Sequence, residues 1–135
     1  MAKQSARFRI AKNKTGKDFI MSYQKKELKD NETNSRYDIK HQLPKDFVPY
    51  ANIPLQLELT FVYPPLKSWT KAKMKQLENG EVIYKTTKPD NDNLQKNIAD
   101  ILNGLVYTDD ALVSISVVKK IYGFTPRTEI VIKTL

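Results

Sequence analysis

Cysteine is absent from this 135-residue chain, which rules out disulfides, thiolate metal sites and a thiol nucleophile. Histidine occurs once, as His41, so a multi-histidine zinc site is excluded too. Any bound metal must be held by oxygen ligands, which favours magnesium, manganese or calcium. No stretch approaches the roughly 18 apolar residues needed to span a bilayer. The N-terminus lacks the apolar core of a signal sequence, and there is no internal repeat or low-complexity tract. The expectation is a soluble, cytoplasmic protein.

What is present is positive charge. Lys and Arg number 23 against 15 Asp and Glu, a formal charge of +8. A surplus this large in a small domain implies a polyanionic partner, nucleic acid first and an anionic membrane second. A merely solvated lysine face is the competing reading. Forty per cent apolar residues and seven tyrosines are normal for a globular protein, and the length suits a single domain, residues 1–135.

Residues 1–46 are polar and basic, with Lys3, Arg7, Arg9, Lys12, Lys14 and Lys17 in quick succession. A short strand or hairpin around Thr15-Gly16 fits Phe8 to Tyr23, whereas residues 25–46 read as an exposed helix or loop without an apolar face. Ile53, Leu55, Leu57, Leu59 and Phe61 alternate with mostly polar neighbours, the period of a half-buried strand. Pro64-Pro65 stops it. A helix follows, with Ser68 as N-cap, Gly80 just past its end, and Trp69, Met74 and Leu77 on its buried side. Val82 to Thr86 reads as a short extended piece. In the next helix Leu94, Ile98, Ile101, Leu102 and Leu105 form one apolar stripe, with Asp92, Lys96 and Asp100 opposite and Gly104 ending it. Strands are expected at about 112–122 and 128–133, with Val113, Ile115 and Val117 on one face and Asp110 and Lys120 on the other parity. The order strand, helix, helix, strand, strand predicts an α+β fold, a mostly antiparallel mixed sheet with two main helices packed on one face.

The chemistry concentrates in Lys88-Pro89-Asp90-Asn91-Asp92-Asn93-Leu94-Gln95-Lys96, then Asp100 and Asp109-Asp110. On an extended approach to the helix, Asp90 and Asp92 project to one side, and two close carboxylates repel unless a cation lies between them. Lys96 is one turn beyond Asp92, within reach of a phosphate. Asp110, at the start of a strand, can complete a carboxylate cluster. Phosphodiester hydrolysis needs such a set: a hard cation to activate water and a lysine to offset developing charge. Structural readings compete. Asp90 or Asp92 suits an N-cap, Asp92 with Lys96 an ordinary i,i+4 pair, and Asp109-Asp110 a turn. A calcium loop of EF-hand type fails, since Leu94, Gln95 and Ile101 stand where a ligand, the glycine and the closing glutamate are required.

The run from Lys88 to Lys96, followed by Asp100, Leu102-Asn103-Gly104, Asp109-Asp110 and Val113, resembles the signature of the RusA family of Holliday junction resolvases. The likeness is dense over residues 85–123 and thinner elsewhere. It implies a homodimeric, Mg2+-dependent endonuclease (Mn2+ as substitute) without organic cofactor, acting on branched DNA of the four-way junction kind in recombination and repair. Family members come from bacteria and their phages. By the resemblance, Asp90, Asp92 and Asp110 are metal ligands, Lys96 is the catalytic lysine, and Asp100 and Asp109 are supporting. Lys119 or Lys120 matches a basic position late in the next strand. The family normally opens with an apolar strand ahead of a basic segment. Here Lys3-Gln4-Ser5-Ala6-Arg7 comes almost at once, so that strand is expected to be missing or shortened. Arg7, Arg9, Lys12, Lys14, Lys71, Lys73, Lys75, Lys85, Lys88 and Lys120 are candidates for backbone phosphate, each weighed against simple solvation. Tyr84 and Tyr107 are candidates to stack on opened bases, with core packing favoured for Trp69. The alternative from another class is a non-catalytic, structure-selective DNA-binding protein, or a family member inactivated by loss of its first strand.

Overall fold

The alternation beginning at Leu55 becomes the central strand of the core. The computed structural model describes the backbone of residues 7–11, 18–23 and 32–135, and side chains from residue 36 onward. In chain order the elements are β1 (Arg7–Ala11), β2 (Asp18–Tyr23), α1 (Glu32–Gln42), β3 (Leu55–Tyr63), α2 (Lys71–Glu78) and α3 (Asn91–Leu102). A single 3-10 turn (Asp110–Leu112), β4 (Val113–Tyr122) and β5 (Arg127–Thr134) complete them. The sheet order is β1-β2-β5-β3-β4. Every pairing is antiparallel except β3 with β4, so the mostly antiparallel mixed sheet expected from the sequence is present. The expected early strands are there too, although residues 12–17, which join them, lie outside the described residues.

One face of the sheet holds the core. Leu55, Leu57, Leu59 and Phe61 of β3 are buried, and register sets Leu57 beside Ile132 and Leu59 beside Ile130. Ile98, Ile101 and Leu102 of α3 close over them, as does Ile39 of α1. Each such side chain contributes about 1.5–3 kcal/mol of burial. Residues 25–46 were expected to lack an apolar face, and Ile39 corrects that: one side chain at 1% exposure anchors an otherwise polar helix.

Local chemistry explains the boundaries. α2 is capped by Thr70, whose hydroxyl accepts the Lys73 N–H at 3.2 Å, rather than by Ser68. Gly80 follows its last turn at φ +87°, a conformation glycine tolerates. α3 stops at Leu102, and Gly104 turns the chain at φ +82° while donating to Tyr107 O at 2.7 Å. Leu105 therefore lies half-buried beyond the helix instead of within its stripe.

β4 departs most from expectation. Its register against β3 slips by one residue between Leu55 and Gln56, so Val113 pairs with Leu55 but Ile115 with Gln56. Ser114 is the extra residue of a β-bulge. Val113, Val118 and Lys120 consequently share the core side, while Ile115 and Val117 face away, 45% and 39% exposed. The expected common face of Val113, Ile115 and Val117 is thus split, because strict alternation fails across a bulge.

Candidate active site

The chain passes from a cis Lys88–Pro89 peptide into the N-cap of α3 at Asp90, whose backbone is extended (φ −73°, ψ 147°). Its carboxylate makes no capping hydrogen bond. Asp92, in the first turn, favours the positive end of the helix dipole. Lys96 is one turn further along, and all three side chains are exposed. Among the described residues the ion pairs are Arg127–Glu129 (2.6 Å) and Lys133–Glu58 (3.1 Å), so Asp92 and Lys96 do not pair with each other. The two simplest structural explanations of these groups, a cap and an i,i+4 bridge, are therefore not realised.

Asp110 lies at the other end of the same helix. β4 runs alongside α3 in the opposite sense: Lys120 reaches the Pro89 carbonyl, Gln95 donates to Ser116 Oγ at 2.8 Å, and Asp110 feels the charge of Asp100. Eight residues of helix separate Asp92 from Asp100, roughly 12 Å of rise. Asp90 and Asp92 thus form one group, and Asp100, Asp109 and Asp110 another. Among the described residues no three His, Asp or Glu side chains converge on a single metal position.

The second group is electrostatically crowded. The Asp110 carboxyl is held above the usual carboxylate range by a hydrogen bond with Asp109, then by partial loss of hydration and by the negative charges of Asp109 and Asp100. Asp109 also accepts the Ala111 N–H at 3.0 Å, capping the 3-10 turn. Tyr107 is fully buried and donates to Ala99 O at 3.1 Å; burial and then the charges of Asp110 and Asp100 push its hydroxyl pKa up. It is a core residue, which corrects its candidacy as a stacking platform. Exposed oxygen donors and carboxylates crowded against one another suit a hard divalent cation in chemistry, although the two groups are separate within one chain.

The basic candidates divide by what they touch. Lys71, Lys73 and Lys75 are exposed on α2, with Lys73 4.6 Å from the Trp69 ring centre. Trp69 in turn packs edge-on against Tyr122 at 4.8 Å. Lys85 lies over Tyr63 and Tyr122 and donates to Thr87 Oγ1 at 2.7 Å. Lys88 and Tyr84 are exposed. Lys120, a candidate for phosphate, donates to Thr87 O at 2.7 Å and Pro89 O at 2.8 Å. It ties β4 to the segment leading into Asp90, a role its position in the sequence does not reveal. Arg7 and Arg9 lie in β1, but their side chains, like Lys12 and Lys14 altogether, are outside the described residues. The sequence reading also missed Arg36, whose Nη1 donates to Ile101 O and Asn103 O at 2.8 and 3.0 Å, where α3 ends.

A basic α+β domain with exposed carboxylates and a lysine along one helix carries the groups that phosphodiester chemistry draws on. The family model described as Endodeoxyribonuclease RusA matches residues 1–133, and the chain belongs to that family. It is similar to protein YqaN of Bacillus subtilis (strain 168), 38% identical over 82 residues. That similarity covers 59% of this chain and 57% of the relative, little more than half of each. No helix among the described residues is long and apolar enough to cross a membrane.

Proposed function

We propose that this protein is a metal-dependent endodeoxyribonuclease that resolves Holliday junctions and related branched DNA by paired nicks. Membership of the RusA endodeoxyribonuclease family supports the reaction class. The observation that carries the site is Asp90, which occupies the N-cap of α3 without capping it, beside an unbridged Asp92 and Lys96. Asp90 and Asp92 would hold the metal, with Asp110 as a third ligand on the strength of the family resemblance alone and Asp100 and Asp109 supporting. Mg2+ (or Mn2+) bound there would supply a Lewis acid and a more acidic water. Lys96, exposed one turn from Asp92, offsets negative charge on the phosphate. Lys120 fixes the backbone that carries Asp90. A homodimer would match the two-fold symmetry of a four-way junction. The exposed Ile115 and Val117 on edge strand β4 are the kind of surface a second copy covers.

The wide spacing of Asp110 from Asp90 favours a second reading, a structure-selective DNA-binding protein without catalysis. Nicking of a synthetic four-way junction beside linear duplex, with and without Mg2+, decides between them. The nuclease reading expects magnesium-dependent nicking of the junction, with Asp92→Asn lowering the rate by roughly a hundredfold or more while junction binding persists. Equal inertness of parent and Asp92→Asn, both binding the junction, leaves the binding reading. Equal cutting of duplex and junction refutes the substrate class.

A further inference from the structure

A groove beside the C-terminal half of α1 has no part in the reading above. It encloses about 690 Å³, within the roughly 300–1,000 Å³ of small-ligand sites and enough for a nucleotide. Its walls carry Arg36, Lys40 and Lys45, and no Asp or Glu lines it. Arg36 is occupied with the carbonyls at the end of α3, so it builds the wall. Lys40 and Lys45 are exposed, and among the described residues neither ammonium has a hydrogen-bond or ion-pair partner. The lining also holds Tyr37, 62% exposed although aromatic. His41 fixes its ring, through a 2.7 Å hydrogen bond to the hydroxyl and an edge-on contact at 4.5 Å between centres. A held, exposed ring beside two lysines with no partner among the described residues suits a ligand with a π-face and negative charge, and its prior fixation lowers the ordering cost of binding.

We infer that this groove takes an unpaired nucleotide of a DNA strand, with the base on Tyr37 and phosphate at Lys40 and Lys45. The inference rests on the nuclease reading and deepens it by naming a second contact for opened DNA. Gly104 and Leu105, just past α3, line the groove, and Tyr107 bridges back to Asn103. The groove therefore opens at the same end of α3 as Asp100 and Asp110.

Fluorescence anisotropy on the full chain without divalent cation tests this, using dye-labelled oligothymidylate, a four-way junction with two unpaired thymidines at the branch, and linear duplex. Tyr37→Ala should weaken binding to the first two probes by about tenfold and leave duplex binding unchanged. Tyr37→Phe should stay within about twofold, since it keeps the π-face. Lys40→Glu with Lys45→Glu should weaken all single-strand binding and flatten its salt dependence by about 1.4 in log–log slope. Thermal melts of each variant separate lost contacts from lost fold, and the exposed positions of all three residues keep the fold intact. Parent-like binding by Tyr37→Ala overturns the inference, as does a parent that ignores oligothymidylate or releases it equally to polyglutamate. A parent that nicks junctions while Tyr37→Ala binds normally sinks the groove alone. A parent that holds oligothymidylate through Tyr37 yet never nicks a junction sinks the nuclease reading alone.

Discussion

Replacing Lys120 by Met tests whether this lysine serves the fold or the DNA. Methionine keeps the apolar stem and deletes the ammonium, so packing is nearly conserved. Two charge-assisted hydrogen bonds disappear, to Thr87 O and Pro89 O. Each is worth about 1.5–3 kcal/mol when buried. Thr87 is exposed and its carbonyl regains water, so a total loss near 2 kcal/mol is expected. In a domain of this size that lowers Tm by about 6–8 °C. The loosened segment leads directly into Asp90, and on the proposed reading of Asp90 as a metal ligand its misplacement lowers turnover by roughly ten- to a hundredfold. Junction affinity should hardly change. Calorimetric melting, junction nicking under saturating enzyme, and anisotropy across a salt series measure the three effects. A phosphate ligand behaves in the opposite way, with unchanged Tm, weaker binding and a salt slope shallower by about one. That outcome refutes the reasoning. Lys119→Met is the matched control, because Lys119 pairs with Thr60 and faces away from the core, and its melt should be unaltered.

Leu102, fully buried between α3 and the sheet, should cost about 3 kcal/mol as Leu102→Ala, visible as an earlier urea midpoint with unchanged m-value. Gly123→Ala should destabilise by about 1–3 kcal/mol, because its Cβ would meet Val62 Cγ1 at 2.6 Å. The raised Asp110 pKa means its protonated form is favoured in the fold. That contribution to stability is complete at low pH and is lost as pH rises past the unfolded value and through the folded one. On the proposed reading of Asp110 as a metal ligand, binding needs the ionised form, so Mg2+ affinity should rise with pH through the same window. Asp109→Asn removes the neighbouring charge and leaves a donor, so the Asp110 titration followed by carbon NMR should move to lower pH.

The sequence made the core legible where apolar spacing carried it. The alternation from Leu55 to Phe61 and the stripe of Ile98, Ile101 and Leu102 became the buried centre. Ile39 was invisible because a single apolar residue among polar ones has no period, and only tertiary contact makes it core. Ser68 and Thr70 cap equally well as residue types, so the choice depends on where the preceding turn ends. The face of β4 was misread because a bulge adds one residue without any change in composition. For the site, Asp92 and Lys96 fall on one helix as expected, but Asp90 is its N-cap and Asp92 its first turn, so the two do not share the extended approach expected of them. The position of Asp110 depends on how β4 is laid against that helix, which no local pattern encodes. Tyr107 was misread for a related reason, and Lys120 has backbone partners no pattern announces: a charge or ring declares its chemistry in sequence, but not the partner that occupies it.

The extra residue at Ser114 acts as a phase setter for everything downstream in β4. With it, Ser116 meets Gln95 and Lys120 meets the segment before Asp90, while Lys119 is turned outward. Shortening the strand by one residue there would exchange the two lysines between faces, leaving the sequence of the site untouched while uncoupling it from its support. Length at this position is therefore under a constraint as strict as the identity of any carboxylate. A one-residue deletion in β4 should be more damaging than most substitutions along it.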